Sequence, residues 1–117
     1  MTIENPLFLI PFATGLIFML AGVIMLKFPP KKINSHYGYR TQSSMKNQEI
    51  WDFAQNYSSK MMIKLGLILT LCSLLSFVVN FDALMNMILG FSLLILMIII
   101  LFVKVEREIK SKFQNKS

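Results

Sequence analysis

The stretch KKINSHYGYRTQSSMKNQEIWDFAQ, residues 31–55, decides the fold because it is a long polar interruption in an otherwise apolar chain. It contains the only His, the only Trp and two of the three Tyr residues. Apolar runs of about 18 or more residues predict transmembrane helices, and such runs lie on both sides of it. We call residues 29–60, which include this stretch, the connector, and we expect any specific chemistry there.

The apolar runs predict one membrane domain built from three transmembrane helices. The chain has 117 residues, of which 55% are hydrophobic, and what lies outside the apolar runs is too short for a second domain. Helix one is predicted at residues 6–28, and Pro29 ends it because a proline disfavours helical dihedrals in the residue before it. Helix two is predicted at 61–79 and helix three at 84–103. The basic tail, 104–117, is expected to extend helix three for a turn or two and then fray.

The second half of the connector predicts a juxtamembrane amphipathic helix at residues 47–60. Asn47 suits the N-cap position, where its side chain satisfies a free backbone N–H. Apolar residues recur at spacings of three and four: Ile50, Phe53, Ala54, Tyr57 and Met61. Polar residues fall mostly on the other side: Asp52, Gln55, Asn56 and Ser59. This helix is expected along the membrane surface or against the bundle, and its continuity with helix two stays open. The predicted fold class is therefore an all-α membrane protein.

Small residues predict where the helices touch. Gly15 and Gly22 are seven residues apart and share one face of helix one. Helix two carries a stripe of small and polar residues: Gly66, Thr70, Ser73, Ser76 and Asn80. In lipid, such faces allow close approach and interhelical hydrogen bonds. Because three helices bury little surface and two faces carry small residues, the sequence also favours a homodimer or higher oligomer.

The basic residues predict the orientation in the cell membrane. All twelve Lys and Arg residues lie in the connector, at its borders or in the tail, which three spans place on the same side. The positive-inside rule makes that side cytoplasmic and the N-terminus external. The net charge of +6 is thereby explained by topology and by attraction to anionic membrane lipid, so no nucleic-acid partner is predicted.

Signals for catalysis are weak. His36 with Ser43 or Ser44 is the one nucleophile–base pair that can be drawn, and no flanking motif supports it. His36 lacks a second His or Cys nearby, so neither a metal nor another cofactor is predicted. The predicted spans contain no carboxylate, which argues against a self-contained transporter.

The connector does contain residues suited to binding. Gly38 between two tyrosines indicates a sharp turn with positive φ. Arg40 is a fork of five donors for a carboxylate, a phosphate or backbone carbonyls. Polar side chains that can cap turns surround it: Asn34, Thr41 and Ser44. The alternative is structural: Arg40 satisfies helix-end carbonyls while Tyr39 and Trp51 sit in the interfacial aromatic belt.

The string Ile33-Asn34, Gly38-Tyr39-Arg40-Thr41, Ser44, Asn47, Trp51 and Ala54 resembles the signature of the SdpI family of small bacterial membrane proteins. The resemblance implies immunity to a secreted, membrane-active toxic peptide. In the family's namesake it also implies sensing of the toxin and retention of a cytosolic repressor protein at the membrane. The matching positions become candidate binding residues: Asn34, Gly38, Tyr39, Arg40, Thr41, Ser44 and Trp51.

Two other functions stay open at this point. One is a membrane enzyme or lipid-headgroup-handling protein that uses Arg40 and His36. The other is a small accessory subunit of a larger membrane complex.

Overall fold

The computed structural model describes residues 4–113, and in that range it contains three α-helices. Helix α1 spans Pro6–Lys27, α2 spans Gln48–Ser73 and α3 spans Ala83–Phe113, and a 3-10 turn at Leu74–Phe77 prolongs α2. Each helix, with that turn added to α2, is long and apolar enough to cross a membrane. The predicted all-α membrane fold is confirmed.

The predicted juxtamembrane helix is the first part of α2 rather than a separate element. The Ser58-Ser59 pair does not interrupt the helix, and both hydroxyls donate to the Gln55 carbonyl within it, at 3.3 and 2.5 Å. The expected polar face was wrong at two positions, since Gln55 and Ser59 are buried. Gln55 faces Tyr39 in the segment before α2, and Ser59 faces Gly22 of α1. Asp52 and Asn56 are exposed, as expected.

Helices α1 and α2 approach closely along their small residues. A Cβ atom built on Gly66 would lie 2.6 Å from the Gly15 carbonyl oxygen, and one on Gly22 would lie 2.6 Å from that of Ser59. Ser73 and Ser76 of the predicted stripe are buried, but Asn80 is exposed beyond the helix. The two small-residue faces therefore meet within one chain, so they no longer favour a homo-oligomer, and the oligomeric state stays a prediction that rests on the small buried surface of three helices.

Helix α3 continues ten residues beyond the predicted span and does not fray within the described residues. Val105, Ile109 and Phe113 are buried, because they prolong the apolar stripe of Met97 and Leu101 at intervals of four. This extension packs on the first half of α2, where the rings of Phe53 and Phe113 meet edge to face at 5.5 Å. Residues 114–117 of the predicted tail lie outside the described residues.

The length of α3 places its last part outside the hydrocarbon. At 1.5 Å per residue its 31 residues span about 46 Å, compared with about 30 Å of bilayer hydrocarbon. Its uncharged part, residues 83–103, is about 31 Å long and ends at Lys104. The extension of α3, the start of α2 and the loop between α1 and α2 therefore form one polar end of the molecule.

Candidate functional site

The loop that joins α1 to α2, residues 28–47, is shaped by Asn34 and Gly38. The Asn34 side-chain oxygen accepts from the backbone N–H groups of His36 and Tyr37, at 2.8 and 2.7 Å. Gly38 has φ +111°, as its sequence context predicted. A Cβ atom there would lie 2.6 Å from the Gln55 amide oxygen, so the site requires glycine for space as well as for conformation.

Two aromatic residues fix this loop to the helix ends. Trp51 is fully buried, and its indole N–H donates to the Pro30 carbonyl oxygen at 2.6 Å. The Tyr37 hydroxyl donates to the Phe28 carbonyl at 2.7 Å, which satisfies a carbonyl just past the end of α1. Trp51 therefore joins α2 to the loop, and because it is fully buried it does not sit in the interfacial aromatic belt that the structural alternative expected.

Tyr39 and Gln55 clamp the loop onto α2 through their backbone and side chain. The Tyr39 N–H donates to the Gln55 amide oxygen at 2.7 Å, and the Gln55 amide nitrogen donates to the Tyr39 carbonyl at 2.8 Å. Both residues are buried, at 7% and 3% exposure. The buried Gln55 amide stabilises this position of the loop, because in any other position its oxygen and nitrogen would lose their hydrogen-bond partners.

A short turn follows Tyr39 and is closed by Ser44. The Ser44 hydroxyl accepts from the Thr41 N–H at 2.8 Å and donates to the Tyr39 carbonyl at 3.0 Å. Ser44 is fully buried, so these bonds satisfy it without water. The turn directs the Thr41 and Ser43 side chains toward α3.

Glu106 of α3 is the acceptor on which the loop converges. The hydroxyls of Tyr39 and Thr41 donate to its Oε2 at 2.6 and 2.9 Å, and that of Ser43 donates to its Oε1. We call these four residues the hydroxyl–carboxylate cluster. Hydrogen bonds to an ionised acceptor are stronger than those between neutral groups, so the cluster fastens the loop to a helix more than 60 residues away in sequence.

The environment of Tyr39 keeps its hydroxyl a donor. Burial, with the adjoining Glu106 carboxylate as the second cause, raises the pKa of Tyr39 far above its ordinary value of 10.0. The phenol therefore stays protonated across the physiological range and donates rather than repelling the carboxylate. This arrangement suits structural fastening.

Arg40 lies apart from the cluster, on the exposed side of the loop. One guanidinium nitrogen, Nη1, donates to the Ser35 carbonyl, in line with the predicted role on backbone carbonyls. The same side chain borders a cavity of about 260 Å³ whose floor is formed by Met25, Met62, Leu101 and Phe102. All three helices contribute to that floor.

The seven candidate binding residues thus divide by place. Tyr39 and Thr41 meet in the hydroxyl–carboxylate cluster, and Ser44 supports them. Asn34 and Gly38 shape the loop, Trp51 ties it to α2, and Arg40 faces outward. The proposed pairing of His36 with Ser43 or Ser44 is not formed: the serine hydroxyls bond Glu106 and the Tyr39 carbonyl, and the His36 ring lies 3.5 Å from Ser35.

Sequence reasoning missed Glu106, Gln55 and Ser43 as site residues. Glu106 was counted within a fraying basic tail, although Val105 and Ile109 beside it continue the apolar period of α3. This apolar spacing continues through the charged residues of α3, and from it one could have predicted that Glu106 lies against the loop. Gln55 gave no comparable signal, since its partner is backbone.

Comparison with known proteins identifies a family that covers the connector from residue 31 onward and most of α2 and α3. The model of the SdpI/YfhL protein family matches residues 31–104, which is more than half of the chain and includes all seven candidate residues. The protein YfhL of Bacillus subtilis strain 168 is 40% identical over 87 residues, which cover 74% of this chain and 67% of that protein. No solved structure matches. The chain belongs to the SdpI/YfhL family of membrane proteins.

Proposed function

We propose that this protein protects the membrane of its cell against a secreted, membrane-active toxic peptide. The observation that carries the proposal is the fixed position of the loop at residues 28–47. Buried polar side chains hold this loop in one position at the polar end of the helices. A loop fixed in this way can present a surface for binding. Family membership supports the same function.

The surface offered to the peptide is the outer face of the loop. Phe28 and Tyr37 are exposed, at 64% and 37%, and lie together because the Tyr37 hydroxyl bonds the Phe28 carbonyl. Arg40 of the same loop is also exposed, and it donates to the Ser35 carbonyl. Exposed aromatic rings and a guanidinium on one loop suit an amphipathic peptide that carries a carboxylate.

The position of this face fits a peptide that is already in the bilayer. The connector is predicted on the cytoplasmic side, where a toxin arriving from outside meets it only after insertion. The face adjoins the end of α1 and the membrane surface, so an inserted peptide reaches it without entering the cytosol. Protection then consists of holding the peptide in a harmless position, without chemical change.

A survival assay with matched variants tests this function. A sensitive strain that expresses the wild-type chain is expected to survive a peptide dose that kills the parent strain. Arg40→Ala is expected to lose most of that protection at an unchanged membrane level. Lys46→Ala is the matched control, because Lys46 is an exposed basic residue of the same loop on its other side. Wild-type chain that protects against no peptide, a co-encoded one included, overturns the proposal.

A signalling role through a cytosolic repressor is the second candidate function, and a separate cavity favours it. This cavity of about 320 Å³ lies at the polar end and is lined by apolar, basic and polar side chains: Ile50, Ile109, Phe113, Lys46, Lys110, Ser43 and Glu106. Both oxygens of Glu106 already accept hydrogen bonds within the hydroxyl–carboxylate cluster. The apolar and basic part of the lining therefore suits a soluble protein segment that carries acidic and apolar side chains.

Site-specific cross-linking tests the second candidate. A photoreactive residue at position 110 is expected to capture a soluble DNA-binding protein, and one at position 56 on the opposite side is expected to capture none. Capture at both positions or at neither would contradict the signalling role and leave the immunity proposal in place.

A further inference from the structure

The cavity beneath Arg40 combines one cation with an apolar floor at a particular depth. Its volume is about 260 Å³, and its floor consists of Met25 from α1, Met62 from α2, and Leu101 and Phe102 from α3. Gly38 and Tyr39 close it on the loop side, and the Tyr39 and Phe102 rings pack at 5.4 Å. No part of the immunity proposal uses this floor.

The floor lies at the boundary between hydrocarbon and headgroups. Met25, Met62 and Phe102 each have a lysine two residues away in sequence: Lys27, Lys64 and Lys104, respectively. Phe102 is also in the last turn of the uncharged part of α3, whose length of about 31 Å matches the hydrocarbon thickness. Arg40 belongs to the loop and therefore lies on the headgroup side of the same cavity.

Arg40 retains donors for an anion. A guanidinium carries five N–H groups, and the structure gives one bond, from Nη1 to the Ser35 carbonyl. Glu106, the carboxylate of the hydroxyl–carboxylate cluster, already accepts hydrogen bonds at both of its oxygens. Arg40 can therefore donate two hydrogen bonds to a phosphate, while Glu106 continues to accept from its three hydroxyl donors.

The surrounding charge has the same sign as Arg40. The eleven basic residues within 4–113 belong to the polar end, as do four acidic residues, Glu49, Asp52, Glu106 and Glu108. Each basic residue near the surface attracts anionic lipid by roughly 1 kcal/mol. A ligand with an anionic head and an apolar body is therefore concentrated at this cavity.

We propose that the cavity holds one anionic phospholipid from the leaflet that faces the connector. Its phosphate accepts from the Arg40 guanidinium, and the start of an acyl chain lies on Met25, Met62 and Phe102. The apolar floor excludes a bare inorganic phosphate as the matching ligand, since such an ion would leave that surface uncovered.

Lipid retention by the purified full-length protein tests this site. The wild-type chain in nanodiscs of neutral phosphatidylcholine is offered phosphatidylglycerol, and native mass spectrometry counts bound lipid after mild detergent transfer. One retained phosphatidylglycerol per chain is expected. Arg40→Ala is expected to weaken retention on the order of tenfold, because it removes charge-assisted hydrogen bonds. Lys46→Ala, outside the cavity, is expected to retain lipid as the wild type does.

A second variant tests the floor without touching the charge. Met62→Trp fills the cavity and is expected to expel the lipid while Arg40 remains, with an unchanged melting temperature as evidence of folding. Equal retention by the wild type and Arg40→Ala overturns the site, and so does equal retention of the neutral lipid. Stabilisation by inorganic phosphate without retained lipid also overturns it. The lipid measurement uses no toxin, so a negative result leaves the immunity proposal standing. A negative survival assay likewise leaves the lipid site standing.

Discussion

The two ends of the α1–α2 contact are held together in different ways. Inside the membrane, Gly15 and Gly66 bring the helix backbones together, and shape decides the contact. At the polar end, buried hydrogen bonds join the loop to α2 and α3, with Gln55 and Glu106 as the principal partners. This small chain therefore relies on close helix packing where water is absent. Where water competes for hydrogen bonds, it relies on bonds between buried polar groups.

The physical reason lies in the solvent at each end. Lipid tails are as apolar as leucine, so helices in a bilayer gain little from hiding apolar side chains and depend on close fit. A loop at the water boundary carries backbone N–H and C=O groups that must be satisfied wherever it is buried. The Tyr39–Gln55 clamp satisfies two of them.

The largest expected effect comes from a substitution that disrupts the contact between α1 and α2 inside the membrane. Gly66→Leu places a side chain 2.6 Å from the Gly15 carbonyl and 2.8 Å from the Met19 backbone nitrogen, so the helices must separate. We expect a loss above about 3 kcal/mol and little folded protein, measured by size-exclusion chromatography and thermal unfolding in detergent. Leu67→Val, on the lipid-facing neighbour, is the control. A wild-type melting temperature for Gly66→Leu would refute shape as the determinant there.

The next effect breaks the polar end. Glu106→Ala removes the acceptor of three hydroxyls and is expected to cost about 2 kcal/mol, less than Gly66→Leu because water reaches the half-buried cluster. The melting temperature should fall, and hydrogen exchange should rise in residues 28–47 but not in α1. The exposed Glu108→Ala is the matched control. Unchanged loop exchange would contradict the fastening role of the cluster.

A smaller effect sharpens the assignment within the cluster. Tyr39→Phe removes one hydroxyl and is expected to cost about 1 kcal/mol. Combined with Glu106→Ala it should add almost nothing, since the bond is already absent in the single variant. Thermal unfolding of the wild type, both single variants and the double variant measures this coupling. Additive losses would mean that the Tyr39 hydroxyl contributes to stability independently of Glu106.

The smallest effect concerns the far tip of the polar end. The Lys112 ammonium lies 4.6 Å from the centre of the Phe53 ring, where a cation–π contact joins α3 to α2. Lys112→Ala is expected to cost below about 1 kcal/mol, because the lysine is exposed. Lys110→Ala is the comparison, and equal melting temperatures for the two variants would argue against a specific contact with Phe53.

The membrane part of the fold could be predicted because it rests on local patterns. Runs of apolar residues set the three helices, and glycines seven residues apart marked the face of α1 that touches α2. Gly38 between two tyrosines predicted a positive φ, and Asn47 predicted the cap of α2. Each of these features is encoded within a few residues of where it acts.

The polar end was harder to predict because its bonds join distant residues. Tyr39 and Gln55 are 16 positions apart, and Tyr39 and Glu106 are 67 apart. Charged residues around Glu106 suggested a solvated tail, and the buried period through Val105 and Ile109 was overlooked. The predicted binding residues were placed in the right loop, but sequence alone did not separate those that fold the loop from Arg40, which faces outward.

The separation between Tyr39 and Glu106 has a consequence for biosynthesis. A ribosome that adds about 5–20 residues per second makes Glu106 roughly 3–13 s after Tyr39. During that interval the first two helices can enter the membrane, yet the loop between them has no carboxylate to close on. The bonds to Glu106 therefore form only after the third helix has been made, whereas the Tyr39–Gln55 clamp needs only α2 and can form earlier.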